Sequence, residues 1–385
     1  MKMEYKEKFY NLLQNMFIGN SESEGKTQNL ILNKDKVLEF FENLFNLNNL
    51  TSLKFQVAKL KNIILTPKND DIGLINITNN GDTILYNRKS LIYALNKVIA
   101  SRTIERAKYY LKQIYQSFLK EKNNKINDIN LARWRDYDEI ITDSLWIFEK
   151  RDTTGAHLGW YWGNFIPQIP RQLMLRYTKK GDWILDPFVG SGTTLIECKR
   201  LGRNGIGIDI NEEVVKKAQE LIKKEVNKYN VITKIICGDS QKMDFKKILK
   251  EFNIKFIQLA ILHPPYFDII KFSNKEEDLS NAKNLSDFLN RFGKVLDNVL
   301  EVLEPKRFLS IVIGDKYSKG EWIPLGFYVM EEALKRNLKL KSIVVKNFEE
   351  TRAKRNQKEL WRYRALVGGF YVFKHEYILI FQKKR

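Results

Sequence analysis

The chain reads as an α/β protein: a doubly wound, Rossmann-like sheet preceded by a mainly helical N-terminal domain. Three stretches predict this. Asp182 to Thr194, DWILDPFVGSGTT, runs apolar into Asp186-Pro187-Phe188, then through a Gly-Ser-Gly-Thr-Thr turn into a helical pattern. Asn204 to Asp209, NGIGID, reads as a second strand ending in an acid. Phe256 to Leu262 is an unbroken apolar run that ends at His263-Pro264-Pro265-Tyr266. Strands alternating with helices imply a parallel sheet with its chemistry at the carboxyl ends of the strands.

The length of 385 residues allows about two domains and a sizeable core. Residues 1–125 are mostly helical by pattern. Phe9, Leu12, Leu13, Met16 and Phe17 repeat at helical spacing, as do Val37, Phe40, Phe41, Leu44 and Phe45. Ile72 to Tyr86, with Asn79-Asn80-Gly81-Asp82 at its middle, predicts a β-hairpin. Leu91 to Leu119 predicts one long amphipathic helix carrying Lys97, Arg102, Arg106, Lys108 and Lys112. Such a domain suits DNA recognition, and equally an ordinary helical extension. Glu121 to Asn130 is polar and charged and predicts the linker. A second, α/β domain is expected over 126–385, with a basic insertion near 346–364.

The turn after Asp186 places backbone N–H groups at a helix N-terminus, where they can hold a polar cofactor. Gly190 and Gly192 let the main chain approach without a Cβ in the way. No Lys-Ser/Thr follows the last glycine, so this is not an NTP loop. Asp209 falls where a carboxylate can accept hydrogen bonds from ribose hydroxyls, about twenty residues past the turn. Val231 to Cys237 predicts a third strand, followed by Gly238-Asp239-Ser240.

These residues resemble the S-adenosylmethionine-dependent DNA methyltransferases that methylate exocyclic amino groups, cytosine N4 or adenine N6. In that family a DPFxGSGTT stretch forms part of the cofactor site, and a (D/N/S)-P-P-(Y/F) tetrapeptide holds the target base. Here the tetrapeptide is HPPY, which departs at its first position. The resemblance runs from about Ser144 to the C-terminus. It implies a class I methyltransferase sheet, with Asp186, Phe188, Gly190, Gly192, Thr193, Thr194, Asp209 and Asp239 at the cofactor. A side chain at Gly192 is then expected to block close approach of that cofactor. The likeness also puts His157 to Pro170, HLGWYWGNFIPQIP, over the methionine end, making Asn164, Phe165 and Ile166 cofactor-side candidates. Trp160, Tyr161 and Trp162 fit either that surface or the core. His157 is assigned no role.

The net charge of +20 and pI near 9.6 exceed what solubility needs and suit a polyanionic partner, double-stranded DNA above all. A Lys- and Asn-rich proteome bias would give the same excess. Cys198 and Cys237 make neither a disulfide scaffold nor a zinc site, and both are expected to be buried thiols. Three histidines without fixed spacing predict no metal site. No apolar run approaches the roughly eighteen residues of a membrane span, so an intracellular, cytoplasmic protein is expected.

After HPPY, Phe267 to Ser273 leaves the strand, and Asn274 to Asn284 is polar, as expected of a mobile loop over the base pocket. Phe288 to Leu303 is helical and Phe308 to Ile313 is a strand. Gly314 to Gly320 is a loop and Leu325 to Leu334 is helical. Leu338 to Val345 and Phe370 to Phe381 close the sheet as an antiparallel pair. Lys346 to Arg364 holds seven Lys/Arg against three Glu, with Trp361 and Tyr363 interleaved, which suits phosphate contact and base stacking.

An exocyclic amine conjugated to a base ring is a poor nucleophile, and its two hydrogens need acceptors that bend it toward the methyl donor. In the resembling family the first side chain of the tetrapeptide and the first proline carbonyl accept those hydrogens, and the aromatic ring stacks on a flipped base. His263, Pro264, Pro265 and Tyr266 are therefore the catalytic candidates. A neutral His263 inclines the reading to cytosine N4. It also predicts that activity falls as the ring protonates near or below its reference pKa of about 6.5. Two alternatives stand beside DNA methylation: an RNA methyltransferase, because NPPY-type tetrapeptides serve RNA enzymes, and an inactive DNA-binding protein. The likeness to modification enzymes implies a cognate restriction endonuclease as partner.

Overall fold

The computed structural model describes residues 29–75, 82–119, 125–347 and 358–385. The helix expected over Phe9 to Phe17 and the Asn79-Asn80-Gly81 turn lie outside them. The chain divides into two compact units, 1–124 with 129–138, and 125–128 with 139–385.

The first unit holds β1 (Asn29–Asn33), α1 (Lys34–Phe45), α2 (Leu50–Leu65), β2 (Thr83–Asn87), α3 (Arg88–Ile99) and α4 (Ile104–Leu119). Asn33, Asn49 and Asn87 cap α1, α2 and α3 by accepting from backbone N–H groups of the first turn. Phe41, Leu53, Leu95 and Leu111 form the centre of its core. Two expectations are corrected here. Thr83–Asn87 pairs antiparallel with Asn29–Asn33, not with residues 72–75. That long-range pairing puts Leu30, Leu32 and Tyr86 into the core, while Asp70 bends the segment at Leu74 and Ile75 by accepting both N–H groups. The long helix over Leu91 to Leu119 is instead two helices. Ser101 Oγ donates to Lys97 O at 2.9 Å, and Thr103 Oγ1 accepts from Arg106 N at 3.2 Å, ending one helix and starting the next.

The second unit is built on an eight-stranded sheet. Its strands are β3 (Leu145–Trp146), β4 (Trp183–Asp186), β5 (Asn204–Asp209), β6 (Thr233–Cys237), β7 (Ile257–Leu262), β8 (Leu303–Ile313), β11 (Leu338–Asn347) and β12 (His375–Lys383). Their spatial order is β3-β11-β12-β8-β7-β4-β5-β6. All neighbours run parallel except around β12, which is antiparallel to both β8 and β11. This is the Rossmann-like α/β fold expected. On one face Phe288, Phe292 and Val299 of the helix Leu285–Val302 pack on the sheet; on the other, Ile169 and Leu173 of Gln168–Tyr177 do so with Ile196 of Thr193–Leu201. β7 lies between two parallel neighbours, which is why it reads as a continuous apolar run.

The chain winds from β4 outward to β6, then returns through β7 on the other side of β4. That reversal opens a crevice beyond the carboxyl ends of β4 and β7, the place where such sheets hold ligands. Smaller differences from the sequence reading are local. Gly314 to Gly320 contains β9 (Lys316–Ser318), which pairs with β10 (Glu321–Ile323) in a separate hairpin. Cys198 is buried as expected, but Cys237 is exposed, because its strand β6 is the edge of the sheet. Among the described residues no helix is long and apolar enough to cross a membrane.

Candidate active site

The turn after β4 is fixed from beneath. Asp186 is buried, accepts from Phe188 N at 3.0 Å, and takes the Thr194 hydroxyl on its other oxygen. Burial pushes its carboxyl up to about 7. Gly190 and Gly192 both sit at positive φ, +49° and +83°. Asp209, at the end of β5, holds the turn by accepting from Gly190 N at 3.1 Å, and its second oxygen accepts from Asn211 N at 2.9 Å. Burial raises Asp209 to about 6. Each carboxylate oxygen keeps a lone pair for a ligand hydroxyl.

A cavity of about 740 Å³ lies over this turn, within the range of small-molecule sites. Among the expected residues, Asn164, Phe165, Ile166, Phe188, Gly190, Asp209 and Asp239 line it, together with His263, Pro264, Pro265 and Tyr266. Asp186, Gly192, Thr193 and Thr194 are not on its wall. Gly192 is the clearest correction: a Cβ there would meet Ile222 Cδ1 at 2.9 Å and Ala218 Cβ at 3.6 Å. Those residues belong to the helix Glu212–Lys224, so Gly192 permits close helix packing and does not clear space for a ligand. Gly190 is the wall glycine, where a Cβ would lie 2.9 Å from the Tyr161 ring. Thr193 acts at one remove by donating to Asn164 Oδ1 at 2.9 Å.

Asn164 Nδ2, Trp160 Nε1 and Asp239 Oδ2 are buried polar atoms of cavity residues with no hydrogen-bond partner among the described residues. The last lies 3.8 Å from Lys242 Nζ, an ion-pair distance only. They are two donors and one acceptor. Trp160, Tyr161 and Trp162, left between core and cofactor surface by the sequence, all line the cavity. Tyr161 packs against Phe272 at 5.6 Å, and burial, with the charges of Asp209 and Asp278, pushes its phenol far up.

The tetrapeptide leaves β7 into the same cavity. His263 rests against the Phe165 ring at 4.9 Å, and its Nε2 lies 3.3 Å from the Tyr266 hydroxyl. That hydroxyl donates to Glu376 Oε2 at 2.7 Å, and Glu376 Oε1 pairs with Lys346 Nζ at 3.3 Å. Lys346 and Glu376 are both buried. Burial, aided by the Lys346 charge, lowers His263 to about 3. The ring is therefore neutral throughout the ordinary pH range, which corrects the expectation that it titrates near 6.5. The Tyr266 proton is committed to the carboxylate, so His263 must hold its own proton on Nε2 to bond the tyrosine oxygen. Nδ1 then carries the free lone pair.

Glu376, Lys346 and Phe272 are wall residues that the sequence reading did not place at the site. One signal existed: Glu376 is a lone acid in the apolar run of β12. His157 instead pins its segment away from the cavity, its Nε2 2.7 Å from Glu197 Oε1, both buried. His375 bonds the Tyr377 hydroxyl at 3.1 Å. The loop 267–284, expected as a mobile cover, is laced by its own side chains. Ser273 Oγ donates to Asp278 Oδ2 at 2.7 Å, and Asn281 Nδ2 donates to the Ser273 and Lys275 carbonyls at 2.9 and 2.8 Å. In the basic stretch Lys346 to Arg364, Lys358–Gly368 is helical, while 348–357 lies outside the described residues.

The sequence model of the N6/N4 methyltransferase family, described as DNA methylase, matches residues 11–220 and 257–385. The Type II methyltransferase M.MjaII of Methanocaldococcus jannaschii is 28% identical over 210 residues, 49% of this chain and 38% of the relative. The Type II methyltransferase M2.DpnII of Streptococcus pneumoniae is 54% identical over 54 residues, 14% of this chain and 20% of the relative. A probable tRNA (guanine(10)-N2)-dimethyltransferase of Methanothermococcus thermolithotrophicus is 34% identical over 116 residues, 30% of this chain and 68% of the relative. The chain thus spans between 20% and 38% of the length of the two Type II relatives.

Proposed function

Because the chain belongs to the N6/N4 DNA methylase family, we propose that it methylates an exocyclic amino group of a base flipped out of double-stranded DNA. S-adenosylmethionine is the methyl donor in this reading. When bound, it supplies a methyl group already activated on a sulfonium, so positioning of the amine carries much of the rate. The observation that supports the reading best is that one cavity of about 740 Å³ holds both sets of residues. It joins Asn164 Nδ2, Trp160 Nε1 and Asp239 Oδ2 to the HPPY tetrapeptide.

The residues fit such a cofactor. Asp209 has lone pairs for ribose hydroxyls, Asp239 Oδ2 accepts from the adenine amino group, and Asn164 Nδ2 donates to the methionine carboxylate. Gly190 lets the backbone approach, and Phe165, Ile166 and Phe188 supply apolar surface. Asp186, Gly192, Thr193 and Thr194 hold the turn that carries these groups. At the other reactant, His263 Nδ1 and the Pro264 carbonyl accept the two amino hydrogens, and Tyr266 stacks on the base. With its basicity held down by burial, His263 orients the amine without keeping a proton, and the proton lost as the N–CH3 bond replaces the S–CH3 bond passes to solvent.

Cytosine N4 is the favoured target, because the first position of the tetrapeptide is neutral; adenine N6 is the competing product. Residues 346–364, the loop after Tyr266 and the N-terminal unit are the proposed DNA-reading parts, a restriction endonuclease is the proposed partner, and the cytoplasm the proposed compartment. Mass spectrometry of nucleosides from DNA incubated with the chain and cofactor tests the reading. N4-methylcytosine is expected, and an unmodified digest at long incubation overturns it. The likeness to a tRNA (guanine(10)-N2)-dimethyltransferase supports a second reading, an exocyclic amine in RNA. Labelled methyl groups found in RNA and absent from duplex DNA would select it.

A further inference from the structure

The first unit carries a surface that the cavity does not account for. Within α3, Tyr93 and Lys97 stand one helical turn apart, and within α4 so do Arg106 and Tyr110. Lys97 Nζ lies 5.0 Å over the Tyr93 ring and 5.8 Å over the Tyr110 ring, bridging the two helices. Arg106 lies 4.9 Å over Tyr110 and 5.1 Å over Tyr109. From the 3-10 segment Leu131–Asp136, Arg135 lies 5.0 Å over Tyr93 and 4.1 Å over Trp134. The result is one continuous row running from Trp134 to Tyr109, in which every cation lies between two aromatic rings.

The row stays open to solvent. Trp134, Tyr109 and Tyr93 keep 58%, 51% and 49% of their surface exposed. Arg88 to Leu119 carries seven cations (88, 89, 97, 102, 106, 108 and 112) against one acid, Glu105. Among the described residues, Lys97, Arg106 and Arg135 take part in no ion pair. A merely solvated helix face would mix the two signs. Cation–ring contacts at exposed sites contribute only about 0.5–1 kcal/mol each, too little to explain holding so much aromatic surface in water.

We propose that this row binds the sugar–phosphate backbone of double-stranded DNA. Phosphates meet the three cations, and tyrosine hydroxyls add neutral contacts of the kind that fix register on a duplex. The rings hold the long cationic side chains in place before binding, which reduces the entropy lost when they are fixed. Each ring in the row already has a cation over its face, so unpaired bases have poor stacking platforms here. That favours an intact backbone over a single strand. The inference deepens the reading of duplex DNA as substrate and rests on it.

The test uses the full chain and a fluorescent 20-base-pair duplex, with binding followed by anisotropy across a salt series. The variant Lys97→Gln/Arg106→Gln/Arg135→Gln should bind at least tenfold more weakly at low salt. Its log–log salt slope should fall by about 0.9 for each phosphate contact removed, hence roughly 2–3 in total. S-adenosylmethionine affinity by calorimetry and the melting temperature should stay at wild-type values. If the triple variant melts early, Arg106→Glu alone, on an exposed side chain, must still weaken duplex binding. Wild-type affinity and slope in a folded variant overturn the proposal. So does a loss confined to single-stranded DNA or RNA, which would assign the row to unpaired strands. Methyl transfer to RNA alone, with duplex binding intact and lost in the variant, counts against the substrate reading and not against the row.

Discussion

Lys346 and Glu376 stand directly opposite each other in the β11–β12 pair, and their buried 3.3 Å ion pair leaves one carboxylate oxygen to the Tyr266 hydroxyl. The tetrapeptide is thus anchored by residues from the far end of the chain. Tyr266→Phe keeps the ring but releases Glu376 Oε2 and the proton on His263 Nε2. Methyl transfer should fall roughly tenfold, about 1.4 kcal/mol, with cofactor affinity unchanged. Tyr266→Ala should lose a further 1–3 kcal/mol or so of base interaction. Single-turnover rates beside calorimetric cofactor binding separate the two. A Tyr266→Phe rate equal to wild type would remove the anchor from the mechanism.

Glu376→Ala should cost stability as well as rate, because it removes the carboxylate paired with the buried Lys346 ammonium. The expected loss is about 3–5 kcal/mol in urea unfolding. Adding Lys346→Met to Glu376→Ala should recover much of the stability and little of the activity, since Tyr266 still lacks its acceptor.

His263 should not titrate between pH 5 and 8. Nitrogen-detected NMR of the free protein should show one neutral tautomer, protonated at Nε2, across that range. The linkage sign follows from a pKa lowered to about 3 against an ordinary 6.5. Above about 6.5 the ring is neutral folded and unfolded, and stability is unaffected. As pH falls from there toward 3, only the unfolded chain takes the proton, and the fold loses stability. His263→Ala should slow transfer at every pH alike. An activity step near pH 6.5 that vanishes in His263→Ala would contradict this.

Asp209 should control the acid limb of cofactor binding. Its pKa is raised from 3.8 to about 6 by burial, so its favourable share of fold stability is fully present below 3.8 and is lost as pH rises through about 6. Ribose recognition needs the carboxylate, so binding runs the other way, and S-adenosylmethionine affinity should weaken as pH falls through about 6. Asp209→Asn should bind weakly, with a flat profile. Calorimetry from pH 5 to 8 reads both.

The two glycines of the turn should fail differently. Gly192→Val pushes into Ile222 and adopts a left-handed φ of +83°, so its first effect should be a lower melting temperature. Gly190→Ala meets Tyr161 on the cavity wall, and its first effect should be weaker cofactor binding. Equal melting loss in both, with cofactor affinity preserved in Gly190→Ala, would undo the distinction.

What the sequence made legible was local. DPFVGSGTT, the acids closing β5 and following β6, and HPPY are short motifs at strand ends, and ten or so neighbouring residues decide their form. What it hid depends on distant partners. Glu376 meets Tyr266 across 110 positions of chain, and only its place as a lone acid in an apolar run hints at it. Gly192 looks like a ligand glycine until the helix carrying Ile222 is packed on it. The break near Ser101 is invisible to a periodicity that continues through both helices; only two hydroxyl hydrogen bonds mark it. β1 finds β2 because Leu30, Leu32 and Tyr86 share a core, not because a turn joins them.

The position of β12 has a consequence for how the protein comes to life on the ribosome. The strand slots between β8 and β11 in the interior of the sheet, though its residues follow both in the chain. Until His375–Lys383 has been synthesised, β8 and β11 have no common neighbour and Tyr266 has no Glu376. A nascent chain can therefore assemble the turn after β4 well before it completes the tetrapeptide end of the cavity. A message cut short upstream of this strand yields a chain in which β8 and β11 lack their shared neighbour and the Tyr266 hydroxyl lacks its acceptor.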